Sequence, residues 1–184
     1  MSNFVGIKTI NELLKYAGEK AKPEEVTFHK MTSKEEIQDA IEKSKENLEV
    51  PIKITPPWEW SEYKDYAYYL IKWKGEPVGF FGNVELEDNG EIINVPSAGF
   101  FEEYRRYGLG TIIYKKMIHS GNEIFANKLF DLLIEPQNIA SVGLLEHMNK
   151  KEEGVIKEND PIEDSGLTYR SWSLQNTPKE EQYE

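Results

Sequence analysis

The chain has 184 residues and a net charge of −11 at pH 7, with 39% hydrophobic and 30% charged residues. That composition builds an ordinary core and rules out wholesale disorder, and the acidic balance makes a general electrostatic grip on nucleic acid a poor expectation. There is no cysteine, so disulfides, thiolate metal sites and cysteine nucleophiles are excluded, and the dispersed His29, His119 and His147 do not make a metal site.

Residues 4–20 carry Phe4, Ile7, Ile10, Leu13, Leu14 and Ala17 at helical spacing, the pattern of an amphipathic helix. Lys22-Pro23-Glu24-Glu25 reads as a linker, and Val26 to Met31 as a short strand. Ser33 with Glu36 spells a capping box, and Ile37, Ala40, Ile41 and Leu48 carry a helix to about residue 48. Residues 50–66 hold three prolines and crowd Trp58, Trp60, Tyr63 and Tyr66 together, which predicts a loop with one helical turn. Those rings either cap the core or wall a pocket, since aromatics supply rigid apolar contact area.

Tyr69, Ile71 and Trp73 alternate as a strand, Lys74 to Pro77 make a turn, and Val78, Phe80, Gly82, Val84 and Leu86 share one face of the next strand. Asp88-Asn89-Gly90 is a hairpin signal. Glu91 to Phe101 is a further strand, and Pro96 within it cannot donate to a ladder, so the strand is bulged or at an edge there. After the glycines of Tyr107-Gly108-Leu109-Gly110 a helix carries Leu109, Ile112, Ile113 and Met117, and Gly121 stops it. Leu129 to Ile134 is apolar on both faces apart from Asp131, as in a central strand. Asn138 caps a helix bearing Ile139, Val142, Leu145 and Met148. Residues 149–167 form a charged loop with a short strand near Val155, and Thr168 to Leu174 alternate as the last strand.

The order predicts one α/β domain with a mixed sheet and helices on its faces. Its expected organisation is an N-terminal helix and linker over 1–24, the domain over 25–174, and a disordered polar tail over 175–184. No apolar run is long enough to span a membrane, and the first residues do not make a secretory signal, so the expected location is cytoplasmic.

The segment that carries chemistry is strand, then Arg105-Arg106-Tyr107-Gly108-Leu109-Gly110, then helix. A glycine loop at a helix N-terminus turns several backbone N–H groups toward one anion, and two of the chain's three arginines add charge. The other reading is a tight turn with solvated arginines. A P-loop and a Rossmann fingerprint are both absent.

Arg105, Gly108 and Gly110, directly after a strand, match R/Q-x-x-G-x-G/A, and the segment resembles the acetyl-CoA stretch of the GNAT N-acetyltransferase superfamily. Asn138, Ser141 and Leu144 resemble that family's N-x-x-[AS]-x-x-L helix, and the likeness covers about residues 25–174. It implies a GNAT-like fold with a mostly antiparallel sheet, and acyl transfer from acetyl-CoA to an amine. The acceptor would be a small amine, a protein lysine or a protein N-terminus. Phe100 and Phe101 would supply backbone to the pantetheine in a gap between two splayed strands, or would be plain core rings. The amides of Arg106, Tyr107, Gly108, Leu109, Gly110 and Thr111 would cradle the pyrophosphate, with Arg105 beside them and Asn138 near the pantetheine.

The chain departs from the family at two places. Leu145 stands where many members have a tyrosine, and Asn94 stands at or near the family's catalytic glutamate. Glu91 is then the nearest carboxylate on that strand and the candidate catalytic residue, with Glu85, Glu135 and His147 as others. Trp58 and Trp60 are candidate acceptor contacts. Beside the active transferase stand a degenerate member that binds CoA or a protein partner without turnover, and a nucleic-acid-modifying relative, which the charge opposes. A homodimer is compatible with all of these.

Overall fold

The computed structural model describes residues 19–49, 51–60, 63–152, 154–164 and 166–178. The amphipathic pattern of residues 4–20 therefore falls almost wholly outside the described residues. Pro23–Glu25 forms a 3-10 turn and leads into strand β1, Val26–Lys30. Helix α1, Lys34–Lys45, starts on the expected box: Ser33 Oγ accepts from Glu36 N–H at 3.1 Å, and Glu36 reaches back to Ser33 N–H. It ends before Leu48 because Asn47 takes a left-handed φ of 54°, the usual geometry just past a helix end.

Strands β2 (Tyr63–Trp73), β3 (Glu76–Asp88) and β4 (Glu91–Phe100) form an antiparallel meander. Both hairpins turn on two residues of positive φ, Lys74-Gly75 and Asn89-Gly90, which is what the twist of tight hairpins requires. Glu76 and Pro77 already belong to β3, and β2 begins at Tyr63 rather than Tyr69. The prolines that marked a loop reach only to Pro57, within a 3-10 turn at Pro57–Glu59. Tyr63 and Tyr66 are paired with Leu86 and Val84 on the long β3.

The β2–β3 register passes from Ile71↔Gly79 to Lys72↔Pro77, so Val78 is an extra residue, a bulge. It divides the expected single face. Val78 and Phe81 join one buried cluster, and Phe80 and Val84 another.

Helix α2 spans Leu109–His119, β5 Leu129–Ile134, helix α3 Ile139–Lys151, and β8 Leu167–Gln175. The charged stretch before β8 holds two short strands, β6 (Ile156–Glu158) and β7 (Ile162–Asp164). The eight strands make one sheet in the order β1-β2-β3-β4-β5-β8-β6, with β7 also on β8. One face carries the larger core, where α2 and α3 bury Ile113, Met117, Leu145 and Met148 against Phe81, Phe130 and Trp172. The other face carries α1, packed on β3 and β4. Because α1 covers only that half, Leu129 and Leu133 of β5 are 39% and 38% exposed, so β5 is not covered on both faces as its composition predicts. Ile139 is likewise exposed at the first turn of α3.

The expected disordered ending starts too early. Gln175 is the last residue of β8, and Asn176 is buried, its Nδ2 donating to the carbonyls of Met117 and Ser120 at 2.8 and 3.1 Å. That amide closes the C-terminal end of α2, whose last carbonyls have no helical partner. Among the described residues no helix is long and apolar enough to cross a membrane.

Candidate functional site

The sheet parts in the middle. β4 and β5 run parallel but pair only at Asn94↔Phe130. Beyond that point β4 continues against β3 to Phe100, and β5 continues against β8 to Ile134, with no pairing between β4 and β5. In an antiparallel ladder every second residue turns both polar backbone groups to the same neighbour. Phe101 donates to Val78 O at 3.0 Å, so the odd-numbered residues of this stretch face β3. The even-numbered Pro96, Ala98 and Phe100 therefore present theirs to the gap. Pro96 has no N–H to leave unmet there, which fits the edge, though not the bulge, expected from it.

This corrects one assignment. Phe101 is bound to β3 through its backbone, its ring is buried, and Lys43 Nζ sits 4.2 Å above it. It does not face the gap. Phe100 does, although its carbonyl already accepts from Arg105 Nε at 3.2 Å. Ala98, exposed on the same edge, was not a candidate from sequence. Counting in twos from the Asn89-Gly90 hairpin would have found it.

At the open end of the gap β4 runs through a 3-10 turn, Glu102–Tyr104, into α2. The connection bends through two left-handed residues, Arg106 at φ 74° and Gly108 at φ 83°. Such alternation turns neighbouring N–H groups toward one concavity. Gly108 is the N-cap and its carbonyl accepts from Ile112 N–H at 3.2 Å, so the amides of Leu109, Gly110 and Thr111 precede the first intrahelical donor and have no acceptor within the helix. An L residue is uncommon at Arg106's φ, and two contacts hold it: Lys20 Nζ donates to Arg106 O at 2.8 Å, and Ala21 N–H to Tyr107 O at 2.9 Å. The result is a concavity of about 220 Å³ lined by Phe100, Arg106, Gly108, Gly110, Thr111 and Leu144 among others. A Cβ on Gly110 would stand 3.1 Å from Leu144 Cδ2, whereas Gly108 has open space and is required for its φ.

The two arginines separate. Arg106 is exposed and meets no carboxylate among the described residues. Arg105 also borders the concavity but spends three donors on protein carbonyls: its NH2 group donates to Ser44 O (2.7 Å) and Glu46 O (3.1 Å), and its Nε to Phe100 O. It fastens the end of α1 to the end of β4. Gly99 lies beneath that joint, where a Cβ would meet Ser44 Oγ at 2.5 Å.

On the far side of the gap Asn138 caps α3, its Oδ1 accepting from Ser141 N–H at 3.3 Å. Asn138 is half-buried, and its Nδ2 donates to no acceptor among the described residues. At the point of parting Asn83 Nδ2 donates to Asn94 Oδ1 at 2.9 Å, both residues buried. Glu85 stands directly across β3 from Asn94 and is half-buried. Glu91 is exposed beside the hairpin turn, on the other side of the Asn94↔Phe130 junction from the gap, so the structure does not bring it to the site. His147 is exposed on α3, and Leu145 is fully buried in the core.

Trp58 and Trp60 are half-buried against the cluster under α1. Lys34 Nζ lies 5.6 Å from the Trp58 ring centre, and Trp60 Nε1 donates to Thr55 O at 3.3 Å. Their loop is tied to the end of β5: Lys53 N–H donates to Glu135 Oε1 at 3.2 Å. Burial pushes four phenols up, at Tyr68, Tyr69, Tyr114 and Tyr169; the charge of Glu123 adds to the effect at Tyr69, and those of Glu135 and Asp164 at Tyr169.

The model of the acetyltransferase (GNAT) family matches residues 35–149. No curated protein matches the sequence. Among solved structures the fold is similar to Naa50 from Arabidopsis thaliana, in complex with the bisubstrate analogue CoA-Ac-MVNAL, at 14% identity and TM-score 0.51, over 82% of this chain and 99% of that one. A chimera of the spermidine N-acetyltransferase SpeG from Vibrio cholerae and hSSAT aligns at 12% identity and TM-score 0.53, over 82% and 95%. The ribosomal-protein-S18-alanine N-acetyltransferase of Escherichia coli aligns at 11% identity and TM-score 0.52, over 86% and 99%.

Proposed function

This chain belongs to the GNAT acetyltransferase family, and on that premise we propose that it is a cytoplasmic N-acetyltransferase carrying an acetyl group from acetyl-CoA to a primary amine. The acceptor class is a small amine, a protein lysine or a protein N-terminus; structural neighbours act on spermidine and on a ribosomal-protein alanine. The observation that carries the reading is the unpaired edge of β4 leading straight into the amide cradle of α2. In this reading the working unit is wider than the domain expected over residues 25–174, since it takes in Lys20 and Ala21, which hold the cradle, and Asn176, which closes α2.

The residues fit a nucleotide thioester. The amides of Leu109, Gly110 and Thr111, with the exposed Arg106, hold its diphosphate. The N–H and C=O of Ala98 and the N–H of Phe100 orient its amide-bearing arm, because an unpaired strand edge is a ladder waiting for a partner. Such a donor supplies a thioester whose acyl carbon takes the amine nitrogen as the C–S bond breaks. The amine attacks only when neutral, so the protein must let a proton leave. Asn94 cannot accept it. Glu85, across the strand from Asn94, is the carboxylate the fold offers through water. Leu145 supplies no proton to the departing sulfur, which takes one from solvent.

The test joins binding to turnover. Wild type should release thiol from acetyl-CoA in an amine-dependent way. Gly110→Trp, whose first side-chain carbon already crowds Leu144, should keep the fold by circular dichroism and lose CoA binding. Unchanged CoA affinity in folded Gly110→Trp overturns the assignment of the cradle.

A further inference from the structure

We propose that the carboxylate of Glu135 recognises an alkylammonium group on the acceptor. The proposal rests on the acetyltransfer reading for the word acceptor. Glu135 follows the last residue of β5 and is only 8% exposed. One oxygen accepts the backbone N–H of Lys53, and the other accepts Gln137 Nε2. Both donors are neutral. Among the described residues no lysine, arginine or histidine pairs with it.

A buried carboxylate without a cation is costly, and hydrogen bonds from neutral amides offset only part of that cost. The bond from Lys53 does not need the charge, since a glutamine carbonyl would accept it equally well, and a Gln137 amide turned end for end would accept from the glutamine's NH2 in place of the second bond. A missing positive partner accounts for the acid at this position.

The surroundings describe that partner. Leu133, two residues back and hence on the same face of β5, is 38% exposed and offers apolar area. The loop tied to Glu135 at Lys53 goes on to Trp58 and Trp60, which pack on the cluster under α1. Tyr169 stands opposite Glu135 in the register that pairs Ile134 with Arg170, and it adds a ring. Apolar area, an adjacent ring and an acid that meets no cation among the described residues suit a cation on an aliphatic stem. That chemistry is shared by polyamines and by lysine side chains.

The experiment measures binding, so it does not depend on turnover. CoA-loaded wild type and Glu135→Gln are titrated calorimetrically with spermidine, with N-acetyl-lysinamide, and with the uncharged N-acetyl-norleucinamide. Glutamine keeps the acceptor for Lys53. Wild type should bind at least one cationic probe more tightly than the neutral one. Glu135→Gln should weaken that cation by about tenfold, the size of one charge-assisted contact, and leave CoA affinity within about twofold. Which cation is lost distinguishes the polyamine from the lysine source. If Glu135→Gln does not fold, Glu135→Met, of similar volume and neutral, replaces it with the same expectation. Unchanged cation binding in the variant overturns the proposal. So does an equal loss for the neutral probe, or the failure of wild type to bind either cation. Cation binding without any acetyl transfer would instead refute the transferase reading and leave this one standing.

Discussion

Arg105→Ala should be a stability variant, not a cofactor variant. Three carbonyls lose a donor: Ser44 O at 2.7 Å, Glu46 O at 3.1 Å and Phe100 O at 3.2 Å. At about 1 kcal/mol net for each bond, the loss is about 3 kcal/mol. For a domain of this size each kcal/mol moves the melting temperature by roughly 2–4 °C, so the fall is roughly 6–12 °C. Arg105→Lys recovers only part, because one ammonium cannot span the fork of a guanidinium. CoA affinity should change by less than about threefold, as three of the five N–H donors of Arg105 are already committed to protein carbonyls. Arg106→Ala is the matched control. Its side chain is exposed and meets no carboxylate among the described residues, so the melting temperature should stay within about 1 °C, as for an ordinary surface change, while CoA affinity falls by about tenfold. Differential scanning calorimetry and titration with CoA on both variants decide the matter. The reverse pattern, with Arg105→Ala stable and unable to bind CoA, would refute the reasoning.

Three further outcomes follow from the packing. Trp58→Ala and Trp60→Ala each remove a half-buried ring, so each should cost about 2 kcal/mol and also raise the apparent KM for the acceptor, with CoA affinity unchanged; stability loss with no selective effect on the acceptor removes the loop from the site. Leu145→Tyr overfills a fully buried position and should cost about 1–3 kcal/mol without raising turnover, so a faster enzyme would show that this side chain reaches the reacting sulfur after all. Tyr68 and Tyr114 have phenol pKa values raised by burial, so their contribution is intact below the unfolded value of about 10 and is lost as pH rises through the folded values. The melting temperature should therefore fall steeply above about pH 10, and a flat profile from 9 to 11.5 would contradict the burial of both rings.

Much of the fold was legible wherever a local rule left no choice. Ser33 with Glu36, Asn138, and Asn89-Gly90 each specify a cap or a turn from three or four residues, and all three formed as expected. The misses have a common physical cause. Val78 becomes a bulge only because β2 and β3 pair on both sides of it, and that one residue moves Phe80 to the opposite core from Val78. Arg105 matched a phosphate-loop motif, yet its partners lie about sixty residues earlier at the end of α1. Asn176 read as tail because nothing local shows that the carbonyls of α2 need a donor. Glu135 is named from sequence beside Glu85 and His147, but nothing local singles it out from them; its burial follows from the loop at Lys53 lying on it.

The gap itself is written in the sequence more fully than the side chains around it, through one count. The Asn89-Gly90 hairpin makes Asp88 and Glu91 opposite partners, and from there the hydrogen-bonding direction of β4 alternates. Pro96 falls on an even position, on the side facing β5, where Asn94 makes the last pair. A proline two residues earlier would have removed the junction that places β5 beside β4. A proline one residue away would have broken the ladder to β3. At Pro96 the missing donor costs the sheet nothing, and it withholds from β5 the next bond that would have kept the strands together. From Asn94 to Phe100 the freed edge is six residues, about 20 Å at 3.3 Å per residue, and it ends where Arg106 and Gly108 turn the chain into α2. One residue type at one parity thus leaves a strand edge open along its length, and the glycine turn puts an anion cradle at its end. An extended ligand with a charged terminus can use both at once.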